Sequence, residues 1–151
     1  MRAIVQRVSR AAVRAGAIVL GQIGRGFVVL LGVAAGDSGA DAQFIADRIL
    51  KMRVFADEAG KMNLALDAPA VGGALLVVSQ FTLLADTSAG RRPSFIRAAA
   101  PDEARRLYEH FLSLVRASGV RVETGEFGAA MELELVNDGP VTIILDSRNR
   151  K

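Results

Sequence analysis

The stretch Asn137-Asp138-Gly139-Pro140-Val141-Thr142 constrains this chain more than any other. Before it, Met131-Glu132-Leu133-Glu134-Leu135 alternates apolar and acidic residues, the period-2 signature of a strand with one wet face. After it, Val141 to Leu145 is β-branched and apolar and reads as a returning, mostly buried strand. Asn-Asp-Gly tolerates positive φ and closes tight turns, so the pattern predicts a hairpin. Pro140 is the misfit. It brings no N–H to a ladder and belongs at a strand's first position, an edge or a bulge. Proline also permits a cis peptide bond. On the residues alone, a hairpin turn stopped by a proline is the favoured reading.

The rest of the chain supplies more strands than helices. Residues 2–8 alternate, with Ala3, Val5 and Arg7 on one face and Ile4, Gln6 and Val8 on the other. Residues 12–15 and 18–23 are short strand candidates, with Gly16, Gly21 and Gly24 as turns. The apolar run from Gly26 to Val33 reads as a buried central strand. A helix is expected over 40–52, with Phe44, Ile45, Ile49 and Met52 inward and Asp41, Asp47, Arg48 and Lys51 outward. Arg53-Val54-Phe55 reads as a short strand, and residues 57–61 as a polar turn. Residues 74–81 form another apolar strand, and 85–100 are irregular. Pro101 opens a second helix, with Asp102 and Glu103 near its positive end. Leu107, Phe111, Leu114 and Val115 form its stripe, and Gly119 ends it. Residues 120–123 read as a further strand. The class is α+β: one domain over 1–151, a mixed, strongly curved or barrel-like sheet with two main helices packed on it.

Composition narrows the chemistry. There is no cysteine and a single histidine, so thiolate chemistry and a zinc site are excluded or strongly disfavoured. His110 lies mid-helix and reads as a surface or partly buried residue rather than a general base. No Gly-x-Gly-x-x-Gly or Gly-x-x-x-x-Gly-Lys pattern joins a strand to a helix. Asp37, Asp41 and Asp47 read as a solvated loop and helix face, so no metal or cofactor is assigned. No stretch has the length of a membrane span, and the first residues lack a signal-peptide core, which together point to a soluble, cytoplasmic protein. A net charge of +3 permits a nucleic-acid partner without requiring one.

What remains is Ser79-Gln80-Phe81-Thr82-Leu83, polar groups placed where a buried strand leaves the sheet. Ser79 and Thr82 are possible nucleophiles, but each needs an adjacent base and none is evident. Strand-end capping by their hydroxyls weighs at least as much. The backbone N–H groups of Phe81 and Thr82 are a separate resource: in a turn they could converge on a developing oxyanion.

Taken in order, Ser79-Gln80-Phe81-Thr82-Leu83 and Asn137-Asp138-Gly139-Pro140-Val141-Thr142 resemble the motif pair of the D-aminoacyl-tRNA deacylases, the D-tyrosyl-tRNA deacylase family. Residues 1–8 resemble that family's opening strand, and Gly90-Arg91-Arg92-Pro93-Ser94-Phe95 its Arg-Pro-Ser-Phe loop. The similarity spans the chain. Ser79, where animal-type relatives carry proline, is the D-selective form. The resemblance implies a homodimer that hydrolyses the ester joining a D-amino acid, or glycine, to the 3′ end of tRNA. It further implies a cis Gly139-Pro140 bond reaching into the partner subunit's pocket, where its carbonyls hold the substrate's α-ammonium group. L-residues are then rejected sterically. Val141 and Thr142 belong to the same implied substrate-binding segment, and Arg7 braces it. Arg92, Pro93, Ser94 and Phe95 line the mouth for the terminal adenosine. The terminal 2′-hydroxyl assists catalysis, with oxyanion donors near Phe81 and Thr82; a covalent role for the Thr82 hydroxyl is the alternative.

Phosphate contacts are expected among Arg91, Arg92, Arg97, Arg105, Arg106 and the tail 148–151. The competing functions are a non-catalytic RNA-binding protein of the same fold, and an esterase or amidase of small D-amino-acid derivatives. The missing nucleophile–base pair counts against the last, since its substrates carry no 2′-hydroxyl.

Overall fold

A computed structural model describes residues 1–150. In chain order the elements are β1 (Arg2–Ala15), β2 (Ile18–Ile23), β3 (Gly26–Gly32), α1 (Gly39–Lys51), β4 (Phe55–Ala56), β5 (Met62–Leu64) and β6 (Ala74–Ser79). There follow a 3₁₀ turn (Phe81–Leu84), α2 (Pro101–Ala117), β7 (Arg121–Thr124) and β8 (Glu132–Asp146).

β1 is the axis of the sheet. One edge pairs antiparallel with β8 along nearly its whole length; the other is shared by β3 (residues 2–8) and β2 (residues 11–15). β3 pairs parallel with β6, and β6 parallel with β7. Parallel neighbours need crossovers, and α1 and α2 supply them. Both helices cover one face, over Ala3, Val5, Phe27, Val29, Leu31 and Val77. The opposite face curls inward around Val8, Val13, Val28, Leu76 and Val78. β2 comes back to β7: a Cβ on Gly21 would lie 2.8 Å from Thr124 O, and Arg121 Nη2 reaches Gln22 O at 3.4 Å. The sheet is thus mixed, curved and nearly closed, as the strand pattern predicts.

Several details differ from the sequence reading. The opening strand and the 12–15 candidate are one strand. The apolar positions change phase within it, Ala3 and Val5 facing the helices, Val8, Ala11 and Val13 the inner side. A register shift between Val8 and Arg10 produces that change, because one extra residue swaps faces. The hairpin expected at Asn137–Gly139 is absent: residues 132–146 are a single strand. Asn137 lies opposite Val8 and Thr142 opposite Gln6, so Asp138 to Val141 bulge out over Arg7 alone. The would-be turn is absorbed as a bulge, a position open to proline. Nor is the segment after Pro140 mostly buried. β8 is an edge strand with no buried residue, and Ile144 is 68% exposed. Finally, Phe55–Ala56 pairs with a short strand, Met62–Leu64, across a turn whose Asp57 carboxylate accepts the Ala59 and Lys61 amides.

The helices match their periodicity. Ile45 and Ile49 on α1, and Leu107, Phe111 and Val115 on α2, are fully buried. Asp41 is less outward than expected: with Ser38 it closes a capping box and it pairs with Arg150 at 2.8 Å. Burial pushes its carboxyl up, but hydrogen bonds from Ser147, Ser38 and Arg150 outweigh that and hold it well below the usual range.

Candidate functional site

Gln80 continues the parallel ladder one step past β6, its N–H donating to Leu31 O at 2.8 Å. The chain then folds into the 3₁₀ turn, which rests on the end of β3. Gly32 makes room for it: a Cβ there would sit 2.5 Å from Leu84 Cδ2 and 2.8 Å from Gln80 O. The Phe81 and Thr82 amides stand in the turn's first positions, where N–H groups lack intrahelical acceptors, and they donate to no backbone acceptor among the described residues. Gln80 Nε2 donates to Thr82 Oγ1. Among the described residues no carboxylate or imidazole is hydrogen-bonded to Ser79 or Thr82, so neither hydroxyl has a base.

Beside this turn opens a cavity of about 600 Å³. Ser79, Gln80 and Phe81 form one wall, Leu30 and Val78 the depth, and Phe95, Ala98 and Ala99 another wall. Phe81 and Phe95 meet edge to face, centroids 5.0 Å apart. The loop carrying Phe95 is pinned by reciprocal Asp86–Ser94 backbone bonds of 2.8 Å, by the Arg97–Asp86 ion pair at 3.0 Å, and by Ala99 N–H donating to Val33 O at 3.0 Å. Tyr108, Phe127 and Met131 close the remaining side. Tyr108 donates its hydroxyl to Val77 O at 3.0 Å, and burial pushes its pKa up to about 12. It is therefore a neutral hydrogen-bonded wall at physiological pH. The sequence reading missed these three. Tyr108 adjoins the buried stripe of α2 and reads as core; Phe127 lies in a connection with no periodicity, and Met131 reads only as the first apolar position of an alternating strand.

The second motif is built differently. Arg7 donates from Nε to Asp138 O at 3.2 Å, pairs with the Asp138 carboxylate at 3.1 Å, and reaches Val54 O through Nη1. Asn137 Nδ2 donates to both Arg7 O and Val141 O at 2.9 Å, bridging the base of the bulge. Gln6 donates to Thr142 Oγ1 at 3.2 Å. At the tip Gly139 has φ +126°, the Gly139–Pro140 peptide is cis, and both residues are exposed. A Cβ on Gly139 would meet Arg7 Nη2 at 2.9 Å.

One chain does not bring the two motifs together. Arg7 lies opposite Phe27, four positions along β3 from Leu31, which pairs with Ser79. Four strand residues span roughly 13 Å. Of Arg92, Pro93, Ser94 and Phe95, all exposed, only Phe95 lines the cavity. His110 is exposed on α2. Among the described residues no acidic or histidine cluster could hold a metal, and no helix is long and apolar enough to cross a membrane. Lys151, part of the expected basic tail, lies outside the described residues.

Comparison with known proteins gives a consistent result. The profile of a family described as D-Tyr-tRNA(Tyr) deacylase matches residues 4–146. The D-aminoacyl-tRNA deacylase of Dehalococcoides mccartyi is 58% identical over 150 residues, 99% of this chain and 97% of that protein. The one from Anaeromyxobacter dehalogenans is 59% identical over 148 residues, 98% of each. Among solved structures, a c-Myc DNA unwinding element binding protein superposes with a TM-score of 0.89 at 39% identity, covering 97% of this chain and 98% of that one. A probable eukaryotic D-amino acid tRNA deacylase shares the fold, with a TM-score of 0.83 at 19% identity over 95% and 97% of the two chains.

Proposed function

The chain belongs to the D-Tyr-tRNA(Tyr) deacylase family and is a D-aminoacyl-tRNA deacylase, a hydrolase of ester bonds; from that premise we propose how its residues divide the work. The working site forms between two copies of the chain in the cytoplasm. The cavity beside Ser79–Thr82 of one copy receives the 3′-terminal adenosine and its aminoacyl group. The exposed Gly139–Pro140 tip of the other copy reaches into that cavity, and its backbone carbonyls hold the α-ammonium group. A D-side chain points outward, whereas an L-side chain would run into the backbone. Glycine, lacking a side chain, passes, so mischarged glycyl-tRNA is also cleaved.

The observation that carries this reading is the separation of the two motifs. The bulge lies about 13 Å of strand away from Ser79 in its own chain. It projects from an edge strand whose outer face exposes Ile144. A site with both halves needs a second copy.

Water attacks the ester carbonyl, and the C–O bond to the ribose breaks. The terminal 2′-hydroxyl relays the proton to the leaving 3′-oxygen, yielding free tRNA and amino acid. The Phe81 and Thr82 amides receive the developing oxyanion. The Thr82 hydroxyl, engaged by Gln80, is not a nucleophile on this reading. Thr82→Ala should then lower the single-turnover rate by less than about 10-fold, whereas loss of a true oxyanion donor costs about 10²–10³. A dead Thr82→Ala enzyme with an active Thr82→Ser counterpart would restore the covalent route.

The test compares D-tyrosyl-, L-tyrosyl- and glycyl-tRNA with the purified protein. Loss of the D and glycyl esters with the L ester spared is expected. Equal cleavage of D and L sinks the chiral filter. Mixing a Gly139 variant with a Gly32 variant should restore part of the activity if each site draws on two chains; no restoration in a demonstrated mixed dimer puts both motifs in one chain. A nucleic-acid-binding role without turnover is the second reading, favoured by the neighbour described as a DNA unwinding element binding protein. Tight tRNA binding with no ester loss would select it.

A further inference from the structure

Arg105 and Arg106 are neighbours on α2, and the fold uses them in opposite ways. Arg106 is held by Glu103 on its own helix, with Nε at 3.0 Å from one carboxylate oxygen and Nη2 at 2.6 Å from the other. Its guanidinium is spent on that bidentate pair. Arg105 makes no ion pair among the described residues. Its guanidinium carbon Cζ lies over the Phe127 ring, 4.6 Å from the centroid. Phe127 is a wall of the cavity, and Ala104, one residue before Arg105, is another lining residue. The contact therefore holds a positive charge beside a wall of the cavity, with no ion-pair partner and no carboxylate on the fork's donors among the described residues. Such a preorganised fork suits a phosphodiester.

Other basic groups sort the same way. Arg97 is tied to Asp86 at 3.0 Å, and Arg150 to Asp41 at 2.8 Å. Arg148 donates to Ala35 O. Arg91 and Arg92, in the loop that brings Phe95 to the cavity, are exposed and make no ion pair among the described residues.

We propose that Arg105, braced on Phe127, is the residue at the cavity rim that grips the phosphodiester backbone of the 3′-terminal nucleotides, with Arg91 and Arg92 assisting, while Arg97, Arg106 and Arg150 serve the fold and not the RNA. This rests on the deacylase reading of the cavity. It predicts that an ester carried on tRNA is cleaved in preference to the same ester on a lone nucleoside. The binding free energy of a phosphate beyond the reacting centre is available only with the longer substrate.

The experiment uses the full-length chain and three variants, Arg105→Gln, Arg105→Lys and Arg106→Gln. Binding of uncharged tRNA is measured from 50 to 200 mM KCl, and deacylation is measured on D-tyrosyl-tRNA and on 3′-O-D-tyrosyl-adenosine. Arg105→Gln should lower the slope of log K against log salt by about 0.7, the value of one single-strand phosphate contact. It should also lower kcat/KM for D-tyrosyl-tRNA at least 3-fold more than for D-tyrosyl-adenosine. Arg105→Lys should keep the slope, and Arg106→Gln should shift it by less than half as much as Arg105→Gln. Equal slopes for Arg105→Gln and wild type, or equal losses on the two esters, overturn the assignment. A merely structural role for the Arg105–Phe127 stack would depress both esters alike and leave the salt slope in place. If the wild-type protein cleaves neither ester, the deacylase reading fails, while the tRNA slope still decides whether Arg105 meets phosphate.

Discussion

The turn at Phe81–Leu84 and the bulge over Arg7 both break strand geometry, but they are held by opposite means. The turn grows from two parallel strands buried on both faces, and Leu84 is packed against Gly32 with no space to spare. The bulge sits on an edge strand and is held by polar ties from Asn137 and Arg7. A feature locked by close packing shares the stability of the core, because interiors transmit strain. A feature locked by hydrogen bonds at an exposed edge can be lost locally while the rest stays folded. The half of the proposed site at the turn is thus coupled to folding, and the half at the bulge is largely free of it.

The sharpest way to break that contrast is a methyl group on each glycine. Gly139→Ala must accommodate φ +126° and a Cβ 2.8 Å from Val141 Cγ2 and 2.9 Å from Arg7 Nη2. The edge can yield, so the tip is displaced. Since misplacement of about 1 Å costs on the order of 10²-fold, deacylation of D-tyrosyl-tRNA should fall about 100-fold. Gly32→Ala overpacks a rigid site and should cost about 1–3 kcal/mol of stability along with activity. Urea denaturation beside single-turnover rates checks both. A larger stability loss for Gly139→Ala than for Gly32→Ala would reverse the assignment of the two regions.

Removing one tie sharpens it further. Asn137→Ala deletes the amide that serves both Arg7 O and Val141 O. Both bonds are partly buried, so the loss should be about 1 kcal/mol, typical of a neutral hydrogen bond. Discrimination between D- and L-tyrosyl-tRNA should suffer more than stability. On the packed side, Tyr108→Phe removes the bond to Val77 O while the ring stays in place. Val77 O still accepts the Gly125 N–H at 3.3 Å, so about 0.5–1 kcal/mol is expected, with D/L discrimination kept.

The same contrast governs what could be read from the sequence. β3, β6 and both helices were legible because unbroken apolar runs and a 3.6-residue stripe survive folding unchanged. Ser79–Thr82 was legible as a candidate site because polar residues directly follow a buried run, and three of the four line the cavity. β1 and β8 were not legible as single long strands, because bulges at Ser9 and at residues 138–141 shift the period-2 pattern and imitate turns. The exposure of Ile144 was equally hidden: β-branched composition does not distinguish an edge strand from a central one. Arg7 was placed beside Gly139–Pro140 only through family resemblance, since their separation of more than 130 residues carries no periodic signal. Tyr108, Phe127 and Met131 gather at the cavity only through the crossover of α2 and the loop after β7.

A last and smaller effect asks whether the two regions are independent at all. Arg2 joins them: its Nε and Nη2 donate to Asp146 Oδ2 at 3.2 and 3.0 Å, at the end of β8, and its Nη1 donates to Leu83 O at 2.8 Å, in the turn. Burial pushes the Asp146 carboxyl up, but the Arg148 amide and Arg2 outweigh it and hold it below its ordinary value. A carboxyl whose folded pKa lies below its unfolded value stabilises the fold fully above about pH 4; that contribution is lost as pH falls through the folded pKa. Acid should therefore weaken the end of β8 first, and Asp146→Asn should flatten the acid limb of the stability profile below about pH 4. If the turn and the edge strand are independent, Asp146→Asn leaves the oxyanion geometry in place and the single-turnover rate at neutral pH falls less than about 2-fold, a change of about 0.4 kcal/mol in the barrier. A drop of 10-fold or more would mean that Arg2 transmits disorder from the edge into the turn, and the division between a packed turn and a separable bulge would have to be given up.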